Sequence, residues 1–171
     1  ARDEDLLDRV RRLHQYGWTS RYHADVPSGV NSRMDEVQAT VLRARLPRLD
    51  AENRTRREIV QRYQSAAGTK ARFFYEDSAA CVAHLAVMVF PSEQDREAAR
   101  QALADAGVAT DVHYPVVDYQ QSALKDLASG VQLPVTEDLT RRILTVPCFP
   151  ALTEHEIDQV CRALSALVTE V

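Results

Sequence analysis

Residues 22–39 read Tyr22-His23-Ala24-Asp25-Val26-Pro27-Ser28-Gly29-Val30-Asn31-Ser32-Arg33-Met34-Asp35-Glu36-Val37-Gln38-Ala39, and the change of character inside this stretch organises the rest of the chain. As far as Asn31 there is no apolar period, and Pro27-Ser28-Gly29 marks an exposed turn. Ser32 stands three residues before Asp35, the spacing of a capping hydroxyl and a first-turn acid, so a long helix is expected to start there. Met34, Val37, Val41, Leu42, Leu46 and Leu49 carry an apolar stripe that Ile59, Val60 and Tyr63 extend towards Gly68. Pro47 removes one helical hydrogen bond inside this run and is expected to kink it. A helix N-terminus offers free N–H groups and a partial positive charge, so Asn31, Ser32 and Arg33 stand where a phosphate could be held. The same residues also suit ordinary capping, with Gly29 as a turn residue, and spacing alone does not separate the two readings.

Working outward, Leu6, Leu7, Val10 and Leu13 fall at helical spacing between residues 3 and 16, and Gly17 follows as a stop. Beyond Gly68 the pattern alternates. Strands are expected at 72–75 and 81–90, a helix at 92–106 ended by Gly107, and a strand at 108–114 ended by Pro115. A short helix at 136–144, a strand at 144–149 and a helix opened by the capping box at Thr153 and running to 168 complete the reading. The fold class is α/β, in an α+β arrangement: a small sheet with helices against it, preceded by a helix and a long kinked helix. The boundary is set at residues 68 and 69, giving a helical segment 1–68 and a small domain 69–171.

In Gly107-Val108-Ala109-Thr110-Asp111-Val112-His113-Tyr114-Pro115, strand alternation puts Asp111 and His113 on one face. A carboxylate beside an imidazole suits acid–base work, a metal site or a purely structural pair, and no third metal ligand is evident, so no metal is expected. Seven arginines between residues 43 and 62 are interleaved with Asp50, Glu52 and Glu58, the pattern of a salt-bridged exposed helix face. The net charge of -4 over 171 residues also argues against a general nucleic-acid binder. No apolar run reaches the ~20 residues that cross a bilayer. The scattered cysteines Cys81, Cys148 and Cys161 fit a reduced, cytoplasmic compartment. The chain opens on Ala1-Arg2-Asp3 without a targeting stretch, like the middle of a longer protein.

The run Gly29-Val30-Asn31-Ser32-Arg33-Met34-Asp35-Glu36-Val37-Gln38-Ala39 closely resembles the Gly-x-Asn-x-Arg-x-Asp-Glu-x-Gln-Ala signature of the DegT/DnrJ/StrS-type nucleotide-sugar aminotransferases. Arg12-Leu13-His14-Gln15-Tyr16-Gly17 upstream, and Leu46-Pro47-Arg48-Leu49-Asp50, Asn53-Arg54-Thr55-Arg56-Arg57, His113-Tyr114-Pro115-Val116, Leu133-Pro134-Val135-Thr136-Glu137 and Pro147-Cys148-Phe149-Pro150 downstream, continue the likeness. The resemblance implies the C-terminal portion of a fold-type I aminotransferase, with a mostly antiparallel small sheet, working as a homodimer on pyridoxal 5'-phosphate. It implies that Asn31 reaches into the partner's site to bond the cofactor phosphate, with Arg33 beside it. Tyr22 and His23 would line the site, and His113 and Tyr114 would face the nucleotide-sugar at the substrate entrance. The reaction implied is transfer of an amino group, with glutamate as donor, to a nucleotide-linked keto-sugar, the sugar C3 position being the subclass suggested by Tyr16-Gly17-Trp18 and His113-Tyr114-Pro115-Val116. The only lysines, Lys70 and Lys125, do not lie in the family's lysine motif, so the lone chain is not expected to transaminate. A non-catalytic remnant and an interaction module using the long helix remain as alternative readings.

Overall fold

The computed structural model describes residues 3–74, 80–124 and 126–167, so the expectations that fall on Tyr75, Lys125 and Val168 lie outside the described residues. The chain divides into two compact units, residues 1–48 and 49–171. The division comes earlier than residue 68 for a reason visible in the long apolar stripe. Met34, Val37, Val41, Leu42 and Leu46 are all more than half exposed, whereas Ile59, Val60, Tyr63 and Ala67 sink into the core that follows.

In the first unit, α1 (Glu4–Leu13) starts where expected because Asp3 Oδ1 accepts from Leu6 N at 3.0 Å. Its stripe is not buried within the unit, Leu6 and Val10 being about half exposed. The segment expected to be loop folds into a tiny antiparallel hairpin, β1 (Trp18–Ser20) and β2 (His23–Ala24). Too short for a period, it leaves no alternation to read. The next helix, α2 (Glu36–Arg45), starts later than Ser32. Asn31 bridges Gln15 and Ser32 N donates to His14 O at 3.0 Å, so both are held extended against the end of α1. Asp35 is the N-cap instead, and its N–H donates to Gln38 Oε1 at 3.2 Å. At Pro47 the rod is interrupted outright by a short 3-10 turn, Leu46–Arg48.

In the second unit, α3 (Leu49–Ala67) leads to a three-stranded antiparallel sheet of β3 (Arg72–Phe73), β4 (Ala86–Val89) and β5 (Ile143–Val146), with β4 central. Helix α4 (Glu93–Asp105) follows β4, α5 (Pro134–Arg142) runs straight into β5, and α6 (Glu154–Ala166) closes the unit. Pairing Met88 with Leu144 puts two fully buried side chains side by side in a core shared with α3, α4 and α6. Strand β4 is shorter than expected because Ala83, at φ +48°, breaks the extended run before it. The strand expected at 108–114 is not formed. Val108 N goes back to Leu103 O and Val112 N to Asp111 Oδ1, leaving only an isolated bridge between Asp111 and Thr145. Two arginines of α3 reach other parts of the unit: Arg62 forks onto Glu154 and Asp158 of α6 at 2.7 Å each, and Arg56 donates to Cys148 O at 2.7 Å.

Tyr63 is fully buried and its hydroxyl finds no hydrogen-bond partner among the described residues. An orphaned buried hydroxyl costs about 1–3 kcal/mol, so Tyr63→Phe is expected to stabilise the unit by roughly 1 kcal/mol in urea unfolding at neutral pH. Burial also raises the phenol well above its ordinary value of 10.0. A raised folded-state value means stability is full below pH 10.0 and lost above it, where only the unfolded chain ionises, at about 1.4 kcal/mol per pH unit. The phenylalanine variant should therefore lose less stability in alkali, and a variant weaker than the parent at neutral pH would show that the hydroxyl is satisfied.

Candidate functional site

In the first unit the chain leaving α1 turns through two left-handed residues, Tyr16 at φ +61° and Gly17 at φ +72°. The returning segment is sewn to it: Tyr16 N donates to Val30 O at 2.9 Å and Val30 N to Leu13 O at 2.8 Å. Gly29 lies at the crossing, where a Cβ would stand 2.0 Å from Gly17 N. This close approach delivers Asn31 and Arg33 to one exposed place. Arg33 Nε donates to Asn31 Oδ1 at 3.1 Å, and the guanidinium lies 5.7 Å from the centre of the Tyr16 ring. Tyr16, Trp18 and Tyr22 continue as an aromatic row with centroids 5.2 and 5.4 Å apart, ended by Arg21 5.0 Å above the Tyr22 ring. Tyr22 is well exposed, and His23 is exposed in β2. Asn31 does not adjoin a helix N-terminus, as its spacing suggested; α2 begins only at Glu36, and Asn31 stands before it in the bridge to Gln15.

With Oδ1 taken by Arg33, the capacity left to the Asn31 amide is chiefly its two N–H donors, which suits an anionic oxygen. From sequence Tyr16 and Trp18 bore only on the sugar position and Arg21 was not singled out, because the contacts of the row depend on the hairpin.

In the second unit His113 and Tyr114 stand together, their rings 5.4 Å apart and edge-on. They line a cavity of about 610 Å³ with Phe74, Val117, Thr136 and Leu139. Asp111 is beside His113 as alternation suggested, Oδ2 lying 3.7 Å from Nε2, although no strand carries the pair. His113 Nδ1 is 3.1 Å from Thr145 Oγ1, a contact no motif signalled. The one clue was a hydroxyl inside the apolar run Ile143-Leu144-Thr145-Val146. Burial pushes the Cys148 and Cys161 thiols up, so both favour the neutral form. Lys70 donates to Ser165 O at the surface. Among the described residues no group of three or more His, Cys, Asp or Glu is placed to hold a metal, and no helix is long and apolar enough to cross a membrane.

A small antiparallel sheet flanked by helices, preceded by a helix, a signature loop and a broken helical rod, has the architecture seen in fold-type I aminotransferases. The chain belongs to the DegT/DnrJ/EryC1/StrS aminotransferase family, whose model matches residues 1–165. It is 31% identical over 167 residues to a dTDP-3-amino-3,6-dideoxy-alpha-D-galactopyranose transaminase of Aneurinibacillus thermoaerophilus, covering 95% of this chain and 44% of that protein. It is 32% identical to a UDP-N-acetyl-3-dehydro-alpha-D-glucosamine 3-aminotransferase of Acidithiobacillus ferrooxidans, covering 95% of this chain and 43% of the relative. Among solved structures, DesV of S. venezuelae superposes with a TM-score of 0.79 at 30% identity, over 95% of this chain and 44% of DesV. The chain thus spans less than half the length of these relatives, which are nucleotide-sugar aminotransferases by name in the first two cases.

Proposed function

We propose that this chain is the C-terminal portion of a pyridoxal-phosphate-dependent aminotransferase that converts a nucleotide-linked keto-sugar to an amino-sugar in the cytoplasm, with glutamate as amino donor. The observation that carries the reading is the Asn31–Arg33 pair on the Gly29 loop: an amide whose acceptor is occupied and whose donors remain for an anion. Such a donor set fits a phosphate and supplies no amine, so the cofactor-linked lysine is assigned to residues outside this chain. When bound, pyridoxal phosphate supplies the electron-withdrawing ring that lets an amino group and a proton move between substrates. Asn31 would donate to the phosphate in the partner subunit's site, and Arg33 would hold the amide in that orientation while adding positive charge. Tyr22 and His23 would line the same region. His113 and Tyr114, at the cavity wall, would face the nucleotide-sugar.

The test is Asn31→Ala in the full-length enzyme. Losing a hydrogen bond to a charged group is worth about 1.5–3 kcal/mol, so cofactor affinity should fall roughly ten- to a hundredfold by fluorescence titration. Unchanged affinity would sink the assignment.

The same reading makes the protein a homodimer joined through the long helical region. Val37, Val41 and Leu42 of α2 are 76%, 53% and 53% exposed, more apolar surface on one short helix than a solvated face needs. The isolated chain is expected to self-associate with rising concentration in sedimentation velocity, and a monomer throughout would count against this surface.

A further inference from the structure

Besides Tyr63, Thr145 is the one buried residue with a polar side-chain group among the described residues, 6% exposed. It lies on β5 between Leu144 and Val146, which enter the main core, and so faces the other side of the sheet with Ile143. That second face meets the cavity, whose wall includes Ile143, His113 and Tyr114. Two backbone bonds fix the segment bearing His113 to this strand: Asp111 N donates to Thr145 O at 3.0 Å and Thr145 N to Asp111 O at 2.7 Å. The side chains then repeat the coupling, with Thr145 Oγ1 3.1 Å from His113 Nδ1.

We infer that Thr145 is a positioning residue that holds His113 as the Nε2–H tautomer at the cavity wall, making the imidazole a hydrogen-bond donor to an oxygen of the ligand. Two independent arguments select that tautomer. First, the Thr145 hydroxyl is buried, and the recorded hydrogen bond of its side chain is the one to His113. If Nδ1 carried the proton and donated, the hydroxyl hydrogen would be left without an acceptor, whereas an unprotonated Nδ1 accepts it. Second, His113 Nε2 lies 3.7 Å from Asp111 Oδ2. A lone pair aimed at that carboxylate would be repelled, whereas an N–H is attracted to it. The 3.7 Å separation is too long for a closed hydrogen bond, so the Nε2–H is poised by Asp111 without being consumed by it.

The role of the donor rests on the reading of the cavity as the nucleotide-sugar entrance; the hydroxyl–imidazole lock does not. Long-range proton–nitrogen NMR spectra of the 171-residue chain read the His113 tautomer directly. The unmodified chain should show Nδ1 in the unprotonated range and Nε2 in the protonated range. In Thr145→Val the ratio of the two tautomers should fall by roughly two- to tenfold, the worth of a neutral hydrogen bond. Thr145→Ser should restore it, with the amide protection of Asp111 and Thr145 unchanged in all three. A dominant Nδ1–H tautomer in the unmodified chain overturns the inference even if the valine variant fails to fold, and so does an unchanged ratio in a folded valine variant. His113→Ala in the full-length enzyme, titrated with UDP-N-acetylglucosamine, separates the two ideas. Unchanged affinity there with a fixed tautomer removes the cavity assignment and leaves the lock; lost affinity with no tautomer bias does the reverse.

Discussion

Gly29→Ala is expected to dismantle the loop that carries Asn31 and Arg33. A methyl group at this position would lie 2.0 Å from Gly17 N, 2.2 Å from the Tyr16 carbonyl carbon and 2.6 Å from Gly17 Cα. All three neighbours are backbone atoms, so no rotamer change relieves the collision; the two segments must separate. Overpacking that forces backbone shifts costs about 1–3 kcal/mol in ordinary cores, and three simultaneous backbone clashes put this case at or beyond about 3 kcal/mol. Separation would break the bonds from Tyr16 N to Val30 O, from Val30 N to Leu13 O and from Ser32 N to His14 O. Hydrogen exchange at those three amides should rise to the rate of open chain, with the unfolding transition of residues 49–171 unmoved. Gly68→Ala is the control. Its φ is +59°, a left-handed value that Gly29 does not have, and nothing lies within 4 Å of its added Cβ, so its cost is confined to the left-handed backbone, about 1–2 kcal/mol. Slow exchange at Val30 in the Gly29 variant would mean that the crossing is looser than its geometry implies. In the full-length enzyme the same variant should weaken cofactor binding at least as much as Asn31→Ala, because it displaces Asn31 and Arg33 together.

That glycine shows what a sequence carries and what it withholds. Gly29 was legible as a turn residue and as part of a family signature, but its reason is a contact with Gly17, twelve positions earlier in the sequence, and no local rule contains it. The helices were readable because caps and periods are local: Asp3, Ser92 and Thr153 each accept from the backbone N–H three residues on. Ser32 failed as a cap because the backbone around it is claimed by a long-range pairing with the end of α1, which outranks a favourable side chain. Strands were less readable, since alternation shows where a strand could form and not where its partner stops. Residues 108–114 alternate well, yet β5 offers them only the Asp111 bridge. The site followed the same rule. Asn31, Arg33, Tyr22, His23, His113 and Tyr114 were candidates through the resemblance, whereas Thr145, and Arg21 at the end of the Tyr16–Trp18–Tyr22 row, become candidates only through folding.

Leu144→Ala should be the most destabilising substitution in the second unit that leaves its site intact. Leu144 is fully buried, directly opposite Met88 across the β4–β5 ladder, and neither neighbour can move in to fill the space without abandoning the sheet. Removing that much side chain from a well-packed core costs about 2–5 kcal/mol, the lost burial plus the cavity left behind. The urea midpoint should fall accordingly with no change in slope, since the folded state keeps the same surface. Val135→Ala, at a side chain 72% exposed on α5, should stay within about 0.5 kcal/mol of the parent. Strand alternation is what separates stability from the site: Leu144 points into the core, while Thr145 points to the cavity side and keeps its partner Asp111 through main-chain groups alone. Below the shifted midpoint, Leu144→Ala should therefore retain the parental His113 tautomer while being several kcal/mol weaker. A variant that lost the tautomer bias while still folded would show that the two faces of β5 are mechanically coupled.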